Sequence, residues 1–303
     1  MKKRKWFIFF LIVAIIASCA FFVYYKYIHI TKHPESVFNN DNKNNISNSE
    51  QALSKSKIYI AFLGLDKDDE RVHTIGNFRT DTIMIFSIDF NCKVVKVLSI
   101  PRDTYVDIPG FHKDKINAAY VYGGMGEKGY ALSLKTISDF LGINVPYYIS
   151  IDMQTIPDIV DAIGGVPLDV EVNMHSHGAN LDKGYQILDG QKAYQYVRWR
   201  YDPMGDINRV KRQQKFIIAF ASQLKSKAKD VSTYINLYNT FKGKLYTNLN
   251  YEQILALIYF VKDVSPDSIE KFTVPGDFYD LNGISYWKPD IEKLNEVLKE
   301  FTK

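Results

Sequence analysis

Acids and arginines recur where the chain leaves one apolar run or enters the next. Asp66 directly follows one run, Arg79-Thr80-Asp81 precedes a second, and Arg102-Asp103 closes a third in Ser99-Ile100-Pro101-Arg102-Asp103. Asp66 and Asp81 at strand edges make a reasonable hard-cation site, because Mg2+ takes oxygen ligands and keeps several waters. Spacing alone favours the plainer alternative, two solvated loop aspartates.

A second cluster reads Arg198-Trp199-Arg200-Tyr201-Asp202, then Asp206, Arg209, Arg212, Gln213 and Gln214. Positions 209, 212, 213 and 216 share one helical face, so Arg209, Arg212 and Gln213 can converge. Arg198 and Arg200 end the preceding helix and can point into the same space. Several guanidiniums aimed at one point suit a phosphate, which they hold by forked, charge-assisted hydrogen bonds. An exposed basic helix paired with Asp202 and Asp206 stays open as the alternative.

Other candidates are weaker. His175 and His177 alternate and would share a face of a strand, but no Cys or third His lies near, and surface histidines are the simpler reading. No P-loop, G-x-S-x-G or H-E-x-x-H occurs, and Gly123-Gly124-Met125-Gly126 reads as a loop. Phe216, Phe220, Tyr234, Tyr238, Phe241, Tyr259 and Phe260 read as core, or as an apolar lining for a lipid chain.

The elements that must position these residues alternate. Strands are expected at 58–65, 82–90, 93–100, 147–151, 166–172 and 270–274, with a hairpin at Asn91-Cys92. Helices are expected at 130–141 (closed by Gly142), 153–163, 190–198, 206–229, 231–242, 251–261 and 290–301. The pattern implies an α/β fold with a mixed sheet, in which ligands bind at strand ends.

The chain has 303 residues, 46% of them apolar, and a formal charge of +4. It is too long and too apolar for a disordered tail, and its two cysteines exclude a disulfide framework and a four-thiolate zinc site. Four positive charges are Lys2, Lys3, Arg4 and Lys5; without them 34 basic residues face 34 acidic ones. No uniformly basic, polyanion-binding surface remains, so no nucleic-acid partner is expected.

Trp6 to Tyr25 carries no charge. As a helix rising about 1.5 Å per residue it spans about 30 Å, a bilayer's hydrocarbon thickness. The basic cluster predicts residues 1–5 in the cytoplasm and everything beyond Lys26 outside the cell. The run continues through Phe21, Phe22 and Val23, which favours a permanent anchor over a cleaved signal peptide; Cys19 lacks the polar sequel of a lipoprotein cysteine. Cys19 would then lie in lipid and Cys92 outside, unable to pair. Residues 26–57, Asn-rich from Asn39 to Asn48, read as a flexible extracellular linker, and 58–303 as one extracellular domain.

Taken together, Phe62-Leu63-Gly64-Leu65-Asp66, Arg79-Thr80-Asp81-Thr82, Ser99-Ile100-Pro101-Arg102-Asp103, Lys115-Ile116-Asn117-Ala118-Ala119 and Arg198-x-Arg200 followed by Asp206-x-x-Arg209-x-x-Arg212-Gln213-Gln214 resemble the LytR-CpsA-Psr (LCP) proteins of Gram-positive bacteria. Gly164-Gly165-Val166-Pro167 also fits, and the region after Lys229 fits least. The family often has Gly where this chain has Asn208, a residue that also tolerates tight turns.

The resemblance implies a three-layer α-β-α sandwich behind one transmembrane helix. It also implies an Mg2+-dependent phosphotransferase that moves a glycopolymer (teichoic acid, capsular polysaccharide or similar) from undecaprenyl pyrophosphate to peptidoglycan through a phosphodiester. By motif position, Asp66 and Asp81 would hold Mg2+. Arg79, Arg102, Arg198, Arg200, Arg209 and Gln213 would surround the pyrophosphate. Asp103 or Asp206 would take the proton of the attacking hydroxyl, with the choice open. A non-catalytic polyprenyl-pyrophosphate-binding wall protein is one competing reading. A membrane-bound transcriptional regulator is another, disfavoured by the expected topology.

Overall fold

The computed structural model describes residues 25–38, 56–66, 78–202, 205–227 and 239–303. By their contacts these fall into two compact units. The larger comprises Ile58–Asp89, Val94–Leu249 and Val264–Lys303; the smaller joins Phe90–Lys93 and Asn250–Asp263 to the chain through Lys57.

The strands are β1 (Lys57–Leu65), β2 (Thr80–Asp89), β3 (Val94–Ser99), β4 (Tyr105–Asp107), β5 (Lys113–Lys115), β6 (Tyr147–Asp152), β7 (Val166–Val170), β8 (Gly184–Leu188), β9 (Leu245–Thr247), β10 (Glu270–Thr273), β11 (Gly276–Leu281) and β12 (Ile284–Pro289). The helices are α1 (Ala119–Tyr122), α2 (Gly126–Leu141), α3 (Ile156–Ala162), α4 (Gly190–Arg198), α5 (Gly205–Lys227), α6 (Tyr251–Asp263) and α7 (Ile291–Thr302). Six strands form one sheet in the order β10-β3-β2-β1-β6-β9. β1 and β6 run parallel, as do β3 and β10, while β2 and β9 are antiparallel to β3 and β6. The mixed α/β sheet is therefore as expected.

Helices cover both faces. Ala61, Leu63, Leu65, Ile83, Ile85, Leu98 and Ile100 point to one side and share a core with Tyr130, Ile137 and Leu141 of α2 and Leu294 and Phe301 of α7. This alternation follows from the two-residue period of strands. On the other side, Gln214 of α5 donates to Ser99 Oγ (2.7 Å) and to the Phe272 carbonyl (2.8 Å). There a second core joins Met153, α3, β7, β8, α4 and Phe216. Gly142 ends α2 in the left-handed region (φ +66°), the conformation glycine adopts without strain.

Some elements differ from expectation. The strand at 166 stops at Val170 and pairs only with β8, outside the central sheet. Two further ribbons, β4–β5 and β11–β12, lie outside the expected strands. The first is short and charged, with no apolar alternation to reveal it. The second turns at Asn282-Gly283, both at positive φ, a hairpin signal present in the sequence.

In the smaller unit, residues 25–32 are helical and Pro34–Val37 make a 3-10 turn. Phe38 is buried, its ring 5.4 Å from Phe90, which stands 5.0 Å from Phe260 of α6. Lys26 pairs with Glu252 at 2.5 Å. Residues 26–38, expected as flexible linker, thus bury apolar side chains against α6, itself expected in the larger domain. The Asn-rich stretch 39–55, the anchor apart from Tyr25, and most of the helix expected at 231–242 lie outside the described residues. Among the described residues no helix is long and apolar enough to cross a membrane.

Candidate active site

Asp66, Asp81, Arg102, Arg198, Arg200, Arg209 and Gln213 meet where β1, β3 and β6 end and β2 begins, the strand-end position at which open α/β sheets bind ligands. A cleft of about 380 Å³ opens there, walled by Asp66, Asp81, Arg102, Arg198, Arg200, Arg209 and Gln213 among others. β1 and β2 are neighbours, so the residue after one and an early residue of the other place Asp66 and Asp81 on a common wall. The approach is close: a Cβ on Gly64 would stand 2.9 Å from Thr82 Cβ and 3.0 Å from Met153 Sδ. Only glycine fits there without displacing Thr82.

A tight turn returns Arg102 over β2. Thr104 donates to the Pro101 carbonyl through its amide (3.0 Å) and its hydroxyl (2.6 Å). Arg102 Nη1 then lies 2.5 Å from Asp81 Oδ2, and Asn117 Nδ2 donates to Asp81 Oδ1 at 3.2 Å. Asp103 Oδ2 and Asp206 Oδ1 each stand 3.6 Å from Arg102 Nε, and Lys115 Nζ is 2.8 Å from Asp103 Oδ1. Arg209 Nη2 lies 2.7 Å from Asp206 Oδ1 and donates to the Asp81 carbonyl at 3.3 Å. Burial opposes the charge of both arginines. At Arg102 it is outweighed by Asp81, Asp206 and Asp103, which hold the pKa above its ordinary value. At Arg209, nine-tenths or more hidden from solvent, burial wins over Asp206, and the nearby Arg102 charge adds to it, so the pKa is lowered. Arginine stays charged near neutrality in either case.

α4 starts with the Asp189 side chain capping Lys192 N at 2.8 Å and delivers Arg198 at its last turn. Arg198 stacks over the Tyr194 ring, donates to the Tyr194 hydroxyl, and stands 3.7 Å from Asp66 Oδ1. Arg200 is exposed on the cleft wall, and among the described residues its guanidinium has no ion pair or hydrogen bond. Gln213 lines the wall and donates to the Val197 carbonyl at 3.1 Å.

Several expectations are modified. Arg212 does not converge on the cleft: it is buried, pairs with Asp202 Oδ2 at 2.7 Å and donates to the Trp199 carbonyl at 2.8 Å. It braces the loop that carries Arg200. Arg79 is exposed and off the cleft wall; its charge acts instead on Tyr122 and Tyr286. Asp103 and Asp206 sit behind Arg102, not on the wall. Asn208 lies within α5, where no special backbone freedom is needed. His175 and His177 share no strand face. His175 pairs with Asp182 at 3.1 Å, while His177 stacks on Tyr201 at 3.6 Å and, with Gly178 and Ala179, lines the cleft. No charge pattern in the sequence marks that loop or Tyr194 as part of a site.

Asp66 Oδ1 is buried without a hydrogen-bond partner, whereas both Asp81 oxygens are engaged. Two carboxylates on one wall fit a cation that completes its shell with water and phosphate oxygens. Among the described residues, no three His, Cys, Asp or Glu side chains group as a protein-only cage.

Residues 20–303 match the LytR_cpsA_psr family. The chain is 31% identical over 299 residues to the polyisoprenyl-teichoic acid–peptidoglycan teichoic acid transferase TagU of Bacillus mycoides, covering 96% of this chain and 94% of that one. It is 42% identical over 162 residues to the regulatory protein MsrR of Staphylococcus aureus, covering 52% and 46%. Its structure is similar to that of TagT bound to LIIa-WTA, with a TM-score of 0.67 and 27% identity over 86% of this chain and 93% of that one. The chain belongs to the LytR_cpsA_psr family.

Proposed function

We propose that this protein is a transferase that moves a wall glycopolymer from a polyprenyl-pyrophosphate carrier to peptidoglycan, making a phosphodiester. The observation that carries this reading is the cleft itself, where Arg102, Arg198, Arg200 and Arg209 face a common space beside two carboxylates. Phosphoryl transfer needs positioning and neutralisation of developing charge more than covalent help from the protein. Relatives whose names specify teichoic acid transfer to peptidoglycan support the substrate class.

In this mechanism a peptidoglycan hydroxyl oxygen bonds to the phosphorus nearest the glycopolymer. The bond from that phosphorus to the bridging oxygen breaks, and the polyprenyl phosphate leaves with the electron pair. Arg102, Arg198, Arg200, Arg209 and Gln213 hold the pyrophosphate oxygens. Asp66 and Asp81 would hold Mg2+, which supplies further positive charge there when bound. Asp206 and Asp103 orient Arg102 through their ion pairs, and either can accept the hydroxyl proton once Arg102 turns to phosphate. On this reading the anchor crosses the cell membrane with its N-terminus in the cytoplasm, and the catalytic domain is extracellular.

The test incubates purified protein with a glycan-labelled polyprenyl-pyrophosphate donor and stripped peptidoglycan. Label should enter peptidoglycan with Mg2+, and should fail to enter with EDTA or in Arg102→Ala. Donor binding without transfer would instead support a carrier.

A further inference from the structure

Beside the cleft, outside its wall, lies a face of aromatic rings interleaved with polar groups. Phe111 is 51% exposed and stacks on Tyr122, with centroids 5.1 Å apart and planes at 20°. Tyr105 packs on Tyr286 at 4.8 Å and approaches Tyr279 at 6.3 Å. Tyr279 and Tyr286 are opposed across the β11–β12 ribbon, and so share one of its faces. Between the rings, the Tyr122 hydroxyl donates to Asp114 Oδ2 at 2.5 Å and lies 3.2 Å from His112 Nε2.

This face is tied to the cleft by a short chain of contacts. Trp287 N donates to the Asp103 carbonyl at 2.8 Å, and Thr104 bridges to Trp287. Lys115 Nζ sits 5.5 Å over the Tyr286 ring and 2.8 Å from Asp103 Oδ1, whose partner oxygen is 3.6 Å from Arg102 Nε. The charges differ from those of the cleft. Lys115 is neutralised by Asp103, and Lys113 by Asp107 at 3.3 Å. Lys288 Nζ, 5.3 Å over the Tyr279 ring, is a further cation on this face.

We propose that this face, built by the β4–β5 and β11–β12 ribbons with Tyr122, binds the acceptor as an extended β-1,4-linked N-acetylhexosamine chain and presents its hydroxyl at the Arg102 edge of the cleft. The C–H faces of such sugars are apolar and stack on aromatic rings. Their hydroxyl and acetamido groups need donors and acceptors, and Asp114, His112 and the tyrosine hydroxyls provide them. Phe111 is the exposed ring of this face, while Tyr105, Tyr122 and Tyr279 are half-buried and Tyr286 is buried; an exposed apolar group rimmed by polar ones marks an interaction surface.

The inference rests on the transfer reading and names its acceptor subsite. Its test uses the full chain in detergent and titration calorimetry with chitohexaose, which needs neither donor nor turnover. Wild type should bind; Phe111→Ala and Tyr279→Ala should weaken binding about tenfold, Phe111→Tyr should retain it, and Arg209→Ala should bind as wild type while losing transfer. Phe111 is exposed, so its removal leaves the fold intact. With peptidoglycan as acceptor, Phe111→Ala should raise the acceptor KM and leave the donor KM unchanged. Binding of chitohexaose that is absent in wild type, or unaltered in both alanine variants, overturns the inference even if transfer is observed. Binding lost in those variants sustains the glycan-binding face even if transfer is not.

Discussion

Arg102 and Asp81, 21 residues apart in sequence, form an ion pair with Nη1 2.5 Å from Oδ2. The arginine proposed for phosphate is therefore the counter-ion of the carboxylate proposed for the cation. Each ligand would supply the charge that its own residue now takes from the other. Binding of the two should be mutually favourable, since a cation alone displaces Arg102 without giving it a new partner. Pyrophosphate affinity measured calorimetrically should rise in the presence of Mg2+, by ~10-fold for a coupling in the usual range. Equal affinity with and without Mg2+ would show that Asp81 holds no cation.

Arg102→Ala removes the ion-pair partner of Asp81 and one of the groups around Asp206. Transfer should fall by about 10²-fold or more. The fold should persist, with stability lowered by about 1–3 kcal/mol because Asp81 keeps only its hydrogen bond from Asn117, read by thermal melting. A wild-type transfer rate would remove Arg102 from the machinery.

Arg200→Ala and Arg212→Ala should part company. Arg200 is exposed, so its loss should weaken transfer and leave the melting temperature unchanged. Arg212 and Asp202 have side chains only 5% and 11% exposed, and breaking such a pair typically costs about 3–5 kcal/mol. Melting of the two variants side by side checks the distinction.

Gly64→Ala places a methyl group against Thr82 and Met153, an overpacking that costs roughly 1–3 kcal/mol. Because Thr82 follows Asp81, transfer should fall along with stability. Retained activity at a lowered melting temperature would show that Asp81 is held independently of this contact.

Much of this was legible in the residues themselves. The continuous apolar run of β1 marks a strand buried on both faces, and the ends of β1 and β3 carry Asp66 and Arg102 to one sheet edge. Helical spacing puts Arg209, Arg212 and Gln213 on one face, and the structure brings Arg209 and Gln213 to the cleft but not Arg212. Periodicity gives a face of a helix, whereas the partner depends on a loop carrying Asp202 and the Trp199 carbonyl. Arg79 shows the same limit, since motif position gives proximity to Asp81 but not the direction of the side chain. The His177 loop was hidden because its contribution comes from the long-range stacking on Tyr201. The β11–β12 ribbon was different: Asn282-Gly283 was a readable turn.

The most direct test of the central claim follows the phosphorus. A donor carrying 32P only at the phosphate nearest the glycopolymer is incubated with the protein, Mg2+ and stripped peptidoglycan, and the products are separated by solubility. The account predicts that 32P enters peptidoglycan with the glycan while unlabelled polyprenyl phosphate is released. Glycan in peptidoglycan with all 32P left on the lipid would mean attack at the sugar carbon, and would contradict phosphodiester formation at this cleft.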